Sequence, residues 1–317
     1  MKHCATSAVG TQADLVISEG VQSFGQIIGI LLDVVGPVFI IAAVGYGWAR
    51  SGKTFDSSFV ALVVNGISTP CLVLDTFTRA GLAPAALTEM ALASALCLSL
   101  AAVSGWALVR GMGLPVRTYL PSLIWSNGGN MGLPLCLFAF GERGLGLAIA
   151  CFAVSSVSNY TFGQALAAGG LGFRQVLKMP MMWALALTFV LLNWDIQLPV
   201  SVGRAVNLLG AITVPLMLLS LGYALASLNV ASFGRNSFFA AVRLLGGFAI
   251  GWLVAWGLEL EGVARGVLII QSAMPAAVLN YLFAARYNND PQEVAGVVVI
   301  STLMSVVALP LFLLSVL

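Results

Sequence analysis

The 317-residue chain is 60% hydrophobic and only 8% charged, with a net charge of +2. Soluble domains are usually about 25% charged, so this composition cannot cover a water-exposed surface and indicates a polytopic membrane protein. The near-neutral balance argues against nucleic acid as a partner. The single histidine, His3, excludes Ser-His and Cys-His catalytic pairs and most metal sites. We therefore expect no cofactor, no bound metal and no enzymatic activity.

Apolar runs between charged or Pro/Gly breaks predict ten transmembrane helices, since a bilayer core of about 30 Å needs about 20 helical residues. In chain order they are Ile27–Ala49, Phe59–Phe77, Pro84–Val109, Tyr119–Phe140, Leu145–Ala168, Met181–Trp194, Pro199–Ala226, Phe238–Leu258, Val267–Ala285 and Val294–Val316. Counted with the flanking span ends, the connections after odd-numbered spans hold nine of the fourteen Lys and Arg residues, and those after even-numbered spans hold four. This bias places the odd connections in the cytoplasm and both termini outside, in a bacterial inner membrane.

The stretch Gly47–Thr54, GWARSGKT, fits the phosphate-loop pattern GxxxxGK[ST]. A phosphate loop follows a short strand and begins a helix. Here Gly47 ends a mostly apolar run of about twenty residues, far longer than a typical strand of five or six. A membrane span, with no room for the rest of a nucleotide domain, separates Lys53 from the acidic Asp75. We interpret the stretch as a helix end followed by a basic cytoplasmic turn.

The two halves of the chain resemble each other. Asn65–Leu74 (NGISTPCLVL) in the second predicted span and Asn207–Gly222 in the seventh both place an asparagine and then a proline within the membrane. The fourth and ninth spans both end in a tight polar turn that leads into another apolar span. Because five spans is an odd number, the second copy must be inverted relative to the first. Such inverted repeats are typical of secondary transporters.

The fourth and ninth spans carry helix-breaking residues. Trp125–Leu135 (WSNGGNMGLPL) holds three glycines and Pro134, and Gln271–Asn280 (QSAMPAAVLN) is interrupted at Pro275. Unwound backbone at membrane depth must face protein or water. Each break directs the N-terminal N–H groups of a half-helix at the gap, and two such ends attract an anion. A pair of proline-kinked structural helices is the alternative. The predicted substrate-binding residues are Asn127, Gly129, Asn130, Gln271, Ser272 and Asn280.

Two blocks, SNGGNMGLPLCLFAFGERG and MPAAVLNYLFAARYNNDPQEVAG, together with VVNGISTPCLVL, resemble the bacterial auxin efflux carrier family. That family is related to the plant PIN auxin transporters and shares a fold with the sodium-coupled bile acid symporters. The resemblance implies an all-α membrane protein with ten helices in two inverted five-helix repeats, whose broken fourth and ninth helices cross at Pro134 and Pro275. It also implies a scaffold domain at 1–80 and 175–230 and a transport domain at 81–174 and 231–317. Some members dimerise through the scaffold, so a homodimer is open here.

The same resemblance implies transport of small organic anions such as auxins and other carboxylates. We expect a secondary-active or facilitative carrier with elevator-type alternating access, in which the transport domain carries the site past the scaffold. The sodium-coupled symporters use a carboxylate in the ninth span, where this chain has Gln271 and no Asp or Glu. This difference argues against sodium coupling. The alternatives are an anion channel, an intramembrane enzyme and a ligand sensor that does not transport.

Further polar residues lie within predicted spans, where ionisable groups are rare and often functional. Asp75 lies four residues before Arg79, which favours an interfacial ion pair over a role in proton coupling. Asn159 and Tyr160 in the fifth span are candidates to line the cavity or to hold helices together. Arg243, if it lies within the eighth span, is expected to extend to the interface or to provide a cation near the anion route.

Overall fold

The structure, a computed structural model, describes residue 29 and residues 35–80, 83–168, 179–194, 196, 198–227 and 232–316. Within these residues all regular structure is helical. The α-helices, numbered in chain order, are α1 Val35–Arg50, α2 Ser57–Val63, α3 Thr69–Ala80, α4 Pro84–Gly111, α5 Val116–Ile124, α6 Leu133–Ser158, α7 Gln164–Ala168, α8 Pro180–Asn193, α9 Val200–Ala211, α10 Thr213–Ser227, α11 Phe233–Gly257, α12 Gly262–Ala273, α13 Val278–Tyr287 and α14 Pro291–Leu314.

Among the described residues, six helices are long and apolar enough to cross a membrane: Ser57–Thr78, Ala85–Gly111, Gly128–Ala168, Val200–Ala226, Phe233–Gly257 and Pro291–Leu314. Shorter apolar helices cover Val35–Arg50, Pro180–Leu191 and Gly262–Ala273. The predicted class, an all-α polytopic membrane protein, is confirmed. The count of ten spans in two inverted repeats stays a prediction, because the helices observed at several of the predicted spans are short or interrupted. The predicted domain boundaries lie at or within segments outside the described residues.

Large apolar side chains remain exposed along the helices, among them Leu62, Trp183 and Trp256, which are 73%, 64% and 70% exposed. A protein surface in water rarely carries apolar side chains over so many helices. The same side chains suit contact with lipid tails, which are as apolar as leucine. The exposed surface therefore agrees with the composition in indicating a membrane protein.

In the described ranges, three short π-helical turns interrupt the α-helices: Val64–Ser68 between α2 and α3, Gly128–Gly132 before α6, and Asn159–Gly163 between α6 and α7. Such turns are frequent at functional sites because they alter the direction of nearby side chains. All three contribute residues to one central cavity, which is described below.

Tight turns follow both of the segments that carry breaks. In the first, Gly141 has φ 64° and ψ −160° and divides α6 into two straight parts, a conformation that glycine adopts without steric cost. In the second, Asn288 and Asp290 take left-handed conformations between α13 and α14, with φ of 54° and 45°. The polar turns expected after the fourth and ninth predicted spans are therefore present.

Helices α1 and α10 approach closely through two glycines. A Cβ atom at Gly45 would overlap the carbonyl oxygen of Leu219, and one at Gly222 would overlap that of Ala42. Small residues permit this backbone-to-backbone contact in membrane proteins. The contact joins the beginning of the chain to its middle and forms part of one wall of the central cavity through α10.

Candidate functional site

The two interrupted segments face each other and are joined by backbone hydrogen bonds. The N–H of Asn127 donates to the carbonyl of Pro275 at 2.7 Å, and the N–H of Ala277 donates to the carbonyl of Trp125 at 3.1 Å. The extended backbone between α5 and α6 therefore forms hydrogen bonds with the backbone between α12 and α13. This pairing meets the requirement that non-helical backbone at membrane depth be bonded within the protein.

The crossing lies at Ser126 and Ala276, which form an isolated antiparallel bridge. Pro275 is adjacent to this bridge, whereas Pro134 lies eight residues after Ser126; the role of Pro134 at the crossing stays a prediction. Pro134 is the second residue of α6, which continues directly from the π turn Gly128–Gly132. The break in the fourth segment is made instead by extended backbone at Trp125, with φ −93° and ψ 111°, and by the glycines that follow.

The N-terminal ends of α6 and α13 open into a central cavity of about 450 Å³. Ahead of α6, the first helical bonds run from the N–H groups of Met131 and Gly132 to Asn127 O, and in α13 the first runs from Asn280 N–H to Ala277 O. The amides that precede these bonds have no partner within their own helix. The residues at these two ends that line the cavity are Gly129, Asn130, Val278 and Leu279.

Apolar residues make up most of the cavity lining, and none of the lining residues in the part of the chain that the structure describes is charged. Its polar residues are Ser57, Asn65, Thr69, Ser126, Asn127, Asn130, Ser155, Ser156, Asn159, Tyr160, Ser220, Tyr223 and Tyr281. Three buried atoms among them make no hydrogen bond within the described residues: Thr69 Oγ1, Asn127 Nδ2 and Asn159 Oδ1. Buried polar atoms are usually bonded, so these three leave unused hydrogen-bonding capacity among the residues that line the cavity.

The C-terminal ends of α5 and α12 converge on Arg243 of α11. Its guanidinium donates to Leu123 O at 2.6 Å, to Met274 O at 3.0 Å and to Ser272 O, and the residue is only 3% exposed. Arg243 therefore does not extend to a membrane interface. It lines a separate cavity of about 30 Å³ and is absent from the lining of the central one.

The predicted site residues separate into two groups. Asn127, Gly129, Asn130, Asn159 and Tyr160 all line the central cavity. The π turns explain how these residues reach it, because Asn130 lies within Gly128–Gly132, and Asn159 and Tyr160 lie within Asn159–Gly163.

The remaining predicted binding residues lie elsewhere. Gln271 and Ser272 line the small cavity beside Arg243. The Gln271 side chain lies against Gly128 in the break, and its Nε2 donates a long bond of 3.5 Å to Gly128 O. Asn280 is 2% exposed and donates through Nδ2 to Trp125 O at 3.0 Å. Gln271 and Asn280 therefore contact the crossing, Ser272 lies against α11, and none of the three lines the central cavity.

Asp75 lies apart from both cavities. Its Oδ2 accepts a hydrogen bond of 3.0 Å from Asn207 Nδ2 of α9, which links the two asparagine-containing motifs of the chain. The side chain of Arg79, its predicted ion-pair partner, lies outside the described residues. The structure therefore places Asp75 between helices α3 and α9 and away from the crossing.

The sequence analysis did not identify the opposite wall of the central cavity. That wall includes Asn65 and Thr69 near the first π turn, and Ser220 and Tyr223 of α10. The motif NGISTP was the available signal for Asn65 and Thr69, but it was interpreted only as part of a repeat. Nothing in the local pattern of α10 distinguishes Ser220 or Tyr223 from ordinary helix-packing residues.

Comparisons with known proteins agree with a transport role. A family model described as membrane transport protein matches residues 172–313. An uncharacterized transporter of Methanothermobacter thermautotrophicus is 26% identical over 274 residues, 81% of this chain and 88% of that protein. Auxin efflux carrier component 1 of Arabidopsis thaliana is 30% identical over 125 residues, 38% of this chain and 20% of that carrier. These matches agree with the resemblance of the sequence to the auxin efflux carrier family. The chain is therefore similar to proteins described as membrane transporters.

Other auxin efflux carriers match over similar lengths. Auxin efflux carrier component 2 of Oryza sativa subsp. japonica is 30% identical over 137 residues, 42% of this chain and 21% of that protein. The matches to these two plant carriers therefore cover about a fifth of each one's length.

Proposed function

We propose that the protein carries small organic anions, in particular carboxylates, across the membrane. The observation that carries this proposal is the central cavity, into which the N-terminal ends of two half-helices open. Each such end has roughly half a positive charge and contributes up to about 2 kcal/mol to anion binding in a partly buried setting. Two ends directed at one cavity favour a negatively charged ligand.

The amide side chains at these ends favour reversible binding. Asn127 Nδ2 is buried without a partner, and Asn130 is half-buried at the same helix end. Hydrogen bonds from such groups contribute about 1 kcal/mol each, and the gain is comparable to the several kcal/mol lost on partial desolvation of a carboxylate. A site that lacks Lys and Arg among its described lining residues therefore binds an anion weakly enough to release it, as a carrier requires.

The position of the cavity supports alternating access of the elevator type. One wall comes from α2, α3 and α10, which belong to the proposed scaffold at 1–80 and 175–230. The facing wall comes from the crossing and from the turn Asn159–Gly163, which belong to the proposed transport domain at 81–174 and 231–317. Movement of the second wall along the first would carry the ligand from one membrane face to the other.

An aromatic carboxylate is the first substrate class to test. The plant relatives are named for auxin, and the auxin indole-3-acetate joins a carboxylate to an aromatic ring. Beside the amides, the cavity presents the rings of Phe152, Tyr160, Tyr223 and Tyr281. Such rings stack favourably with an aromatic ligand.

A thermal-shift screen of carboxylates on the purified protein, including indole-3-acetate, tests the proposal. Each hit is compared with its neutral amide, such as indole-3-acetamide, and is then used in counterflow across proteoliposomes in sodium and in potassium. We expect stabilisation by at least one carboxylate and saturable counterflow that is equal in the two salts. Binding without counterflow would favour a ligand sensor, and single-channel currents would favour a channel. A screen in which amides stabilise as well as carboxylates would overturn the anionic specificity.

A further inference from the structure

Arg243 occupies an unusual position at the back of the crossing. Three backbone carbonyls converge on its guanidinium: Leu123 near the end of α5, and Ser272 and Met274 at the end of α12. The approach of α11 that permits these bonds depends on Gly247, because a Cβ atom there would overlap the carbonyl oxygen of Ser272. Arg243 therefore contacts the C-terminal ends of both half-helices whose partners, α6 and α13, open into the central cavity.

The charge of Arg243 is compensated by dipoles. Among the residues that the structure describes, it has no carboxylate partner, and the ion pair found there joins Arg235 to Glu293. A buried charge without compensation is strongly destabilising. Each helix C-terminus carries roughly half a negative charge, so the ends of α5 and α12 together offset about one guanidinium.

We propose that Arg243 sets the sign of the electrostatic potential in the central cavity. Its positive charge neutralises the partial negative charges at the C-terminal ends of α5 and α12. At each break the negative C-terminal end of one half-helix lies close to the positive N-terminal end of the next. Without Arg243, the electrostatic effects of these two ends on a ligand in the cavity would largely cancel. With it, the positive ends of α6 and α13 are left to act on the central cavity, whose described lining has no charge of its own. The selectivity for anions rests on the proposed function, whereas the compensation of the helix ends does not.

Arg243 is in this view a positioning residue that acts through the helix ends, because it does not line the central cavity. Two features of its bonding can be separated by substitution. Arg243→Gln keeps amide donors for the carbonyls and removes the charge, whereas Arg243→Lys keeps the charge and changes the donor geometry. Arg243→Ala removes both.

The first experiment measures thermal stability without any substrate. Arg243→Ala is expected to lower the melting temperature, and guanidinium chloride at millimolar concentration, far below the molar range in which it denatures proteins, is expected to restore it. Purification in the presence of guanidinium guards against loss of fold. Wild type and Arg204→Ala, which removes an exposed arginine of α9, serve as controls and should show no such rescue. If guanidinium does not rescue Arg243→Ala, and Arg243→Lys is no more stable than Arg243→Ala, then Arg243 does not serve as the cation of the crossing.

The second experiment measures the preference for a carboxylate over its amide, with indole-3-acetate and indole-3-acetamide as the first pair. Arg243→Gln is expected to lose carboxylate affinity at least tenfold with little change for the amide, and Arg243→Lys to retain the preference. A folded Arg243→Gln protein that still prefers the carboxylate as strongly as wild type would overturn the sign-setting role. If wild type prefers no carboxylate of the screened panel, the proposed function and its anion selectivity both fall, while guanidinium rescue would still support Arg243 as the cation of the crossing.

Discussion

At the scale of single residues, Asn130 and Asn280 show that two asparagines predicted to share one role are placed differently. Asn130 is half-buried at the cavity, at the N-terminal end of the second half-helix. Asn280 is fully enclosed and holds the carbonyl of Trp125. Their substitution should therefore separate ligand binding from the stability of the crossing.

For Asn130→Ala we expect several-fold weaker binding of a carboxylate with an unchanged melting temperature, because a cavity-lining donor is lost and no interior contact is removed. Isothermal titration with the best hit of the carboxylate screen measures the affinity. Gln292→Ala, at an exposed amide outside the cavity lining, is the matched control. Equal affinity for a folded Asn130→Ala protein and wild type would contradict the assignment of this helix end to the ligand.

For Asn280→Ala we expect a loss of about 1 kcal/mol or more in unfolding free energy, since a buried hydrogen bond is removed at the crossing. Differential scanning fluorimetry in detergent detects the loss as a lower melting temperature. The control is Gln292→Ala, at the exposed beginning of α14. Asn288, which is also exposed, is less suitable because its backbone is left-handed. A melting temperature as high as that of the control would show that the Asn280 bond contributes little.

At the scale of secondary-structure elements, the contact between α1 and α10 depends on glycine. Gly222→Ala is expected to destabilise the protein by about 1–3 kcal/mol, because the added methyl group overlaps the carbonyl of Ala42 and forces the helices apart. The matched control is Gly203→Ala in α9, where a Cβ atom meets open space and helix propensity predicts a gain of up to about 1 kcal/mol. Thermal unfolding of the two variants should therefore move in opposite directions, and parallel shifts would argue against the close contact.

At the scale of the whole molecule, an inverted repeat requires the turn at Gly141 and the turn at Asn288–Asp290 to face opposite sides of the membrane. We predict that single cysteines at Glu142→Cys and Gln292→Cys, both exposed in the structure, react with an impermeant maleimide from opposite sides. In the expected orientation, Glu142→Cys is labelled from outside and Gln292→Cys from the cytoplasm. The measurement uses right-side-out and inverted vesicles on a background in which the native cysteines are replaced by serine.

Labelling of both positions from one side would contradict the inverted arrangement. A reversed pattern, with Gln292→Cys labelled from outside, would keep the inverted repeat and contradict only the orientation derived from the positive charges.

The sequence by itself determined the class of the protein and the location of its breaks, because both depend on local composition. A charged fraction of 8% leaves a membrane as the only solvent for most of the surface, and the glycines of Trp125–Leu135 weaken a helix wherever they occur. The family resemblance rested on the same segments, and the comparisons confirmed it. Five of the predicted residues line the cavity because they lie at or next to helix interruptions.

Only the tertiary structure decided what each break faces and which partner satisfies it. The bridge between Ser126 and Ala276 forms eight residues before Pro134, because the segment after α12 supplies the matching carbonyl of Pro275 there. The bonds of Arg243 join residues 120, 31 and 29 positions distant in the chain. Such contacts depend on helix packing over long sequence separation, and no local pattern encodes them.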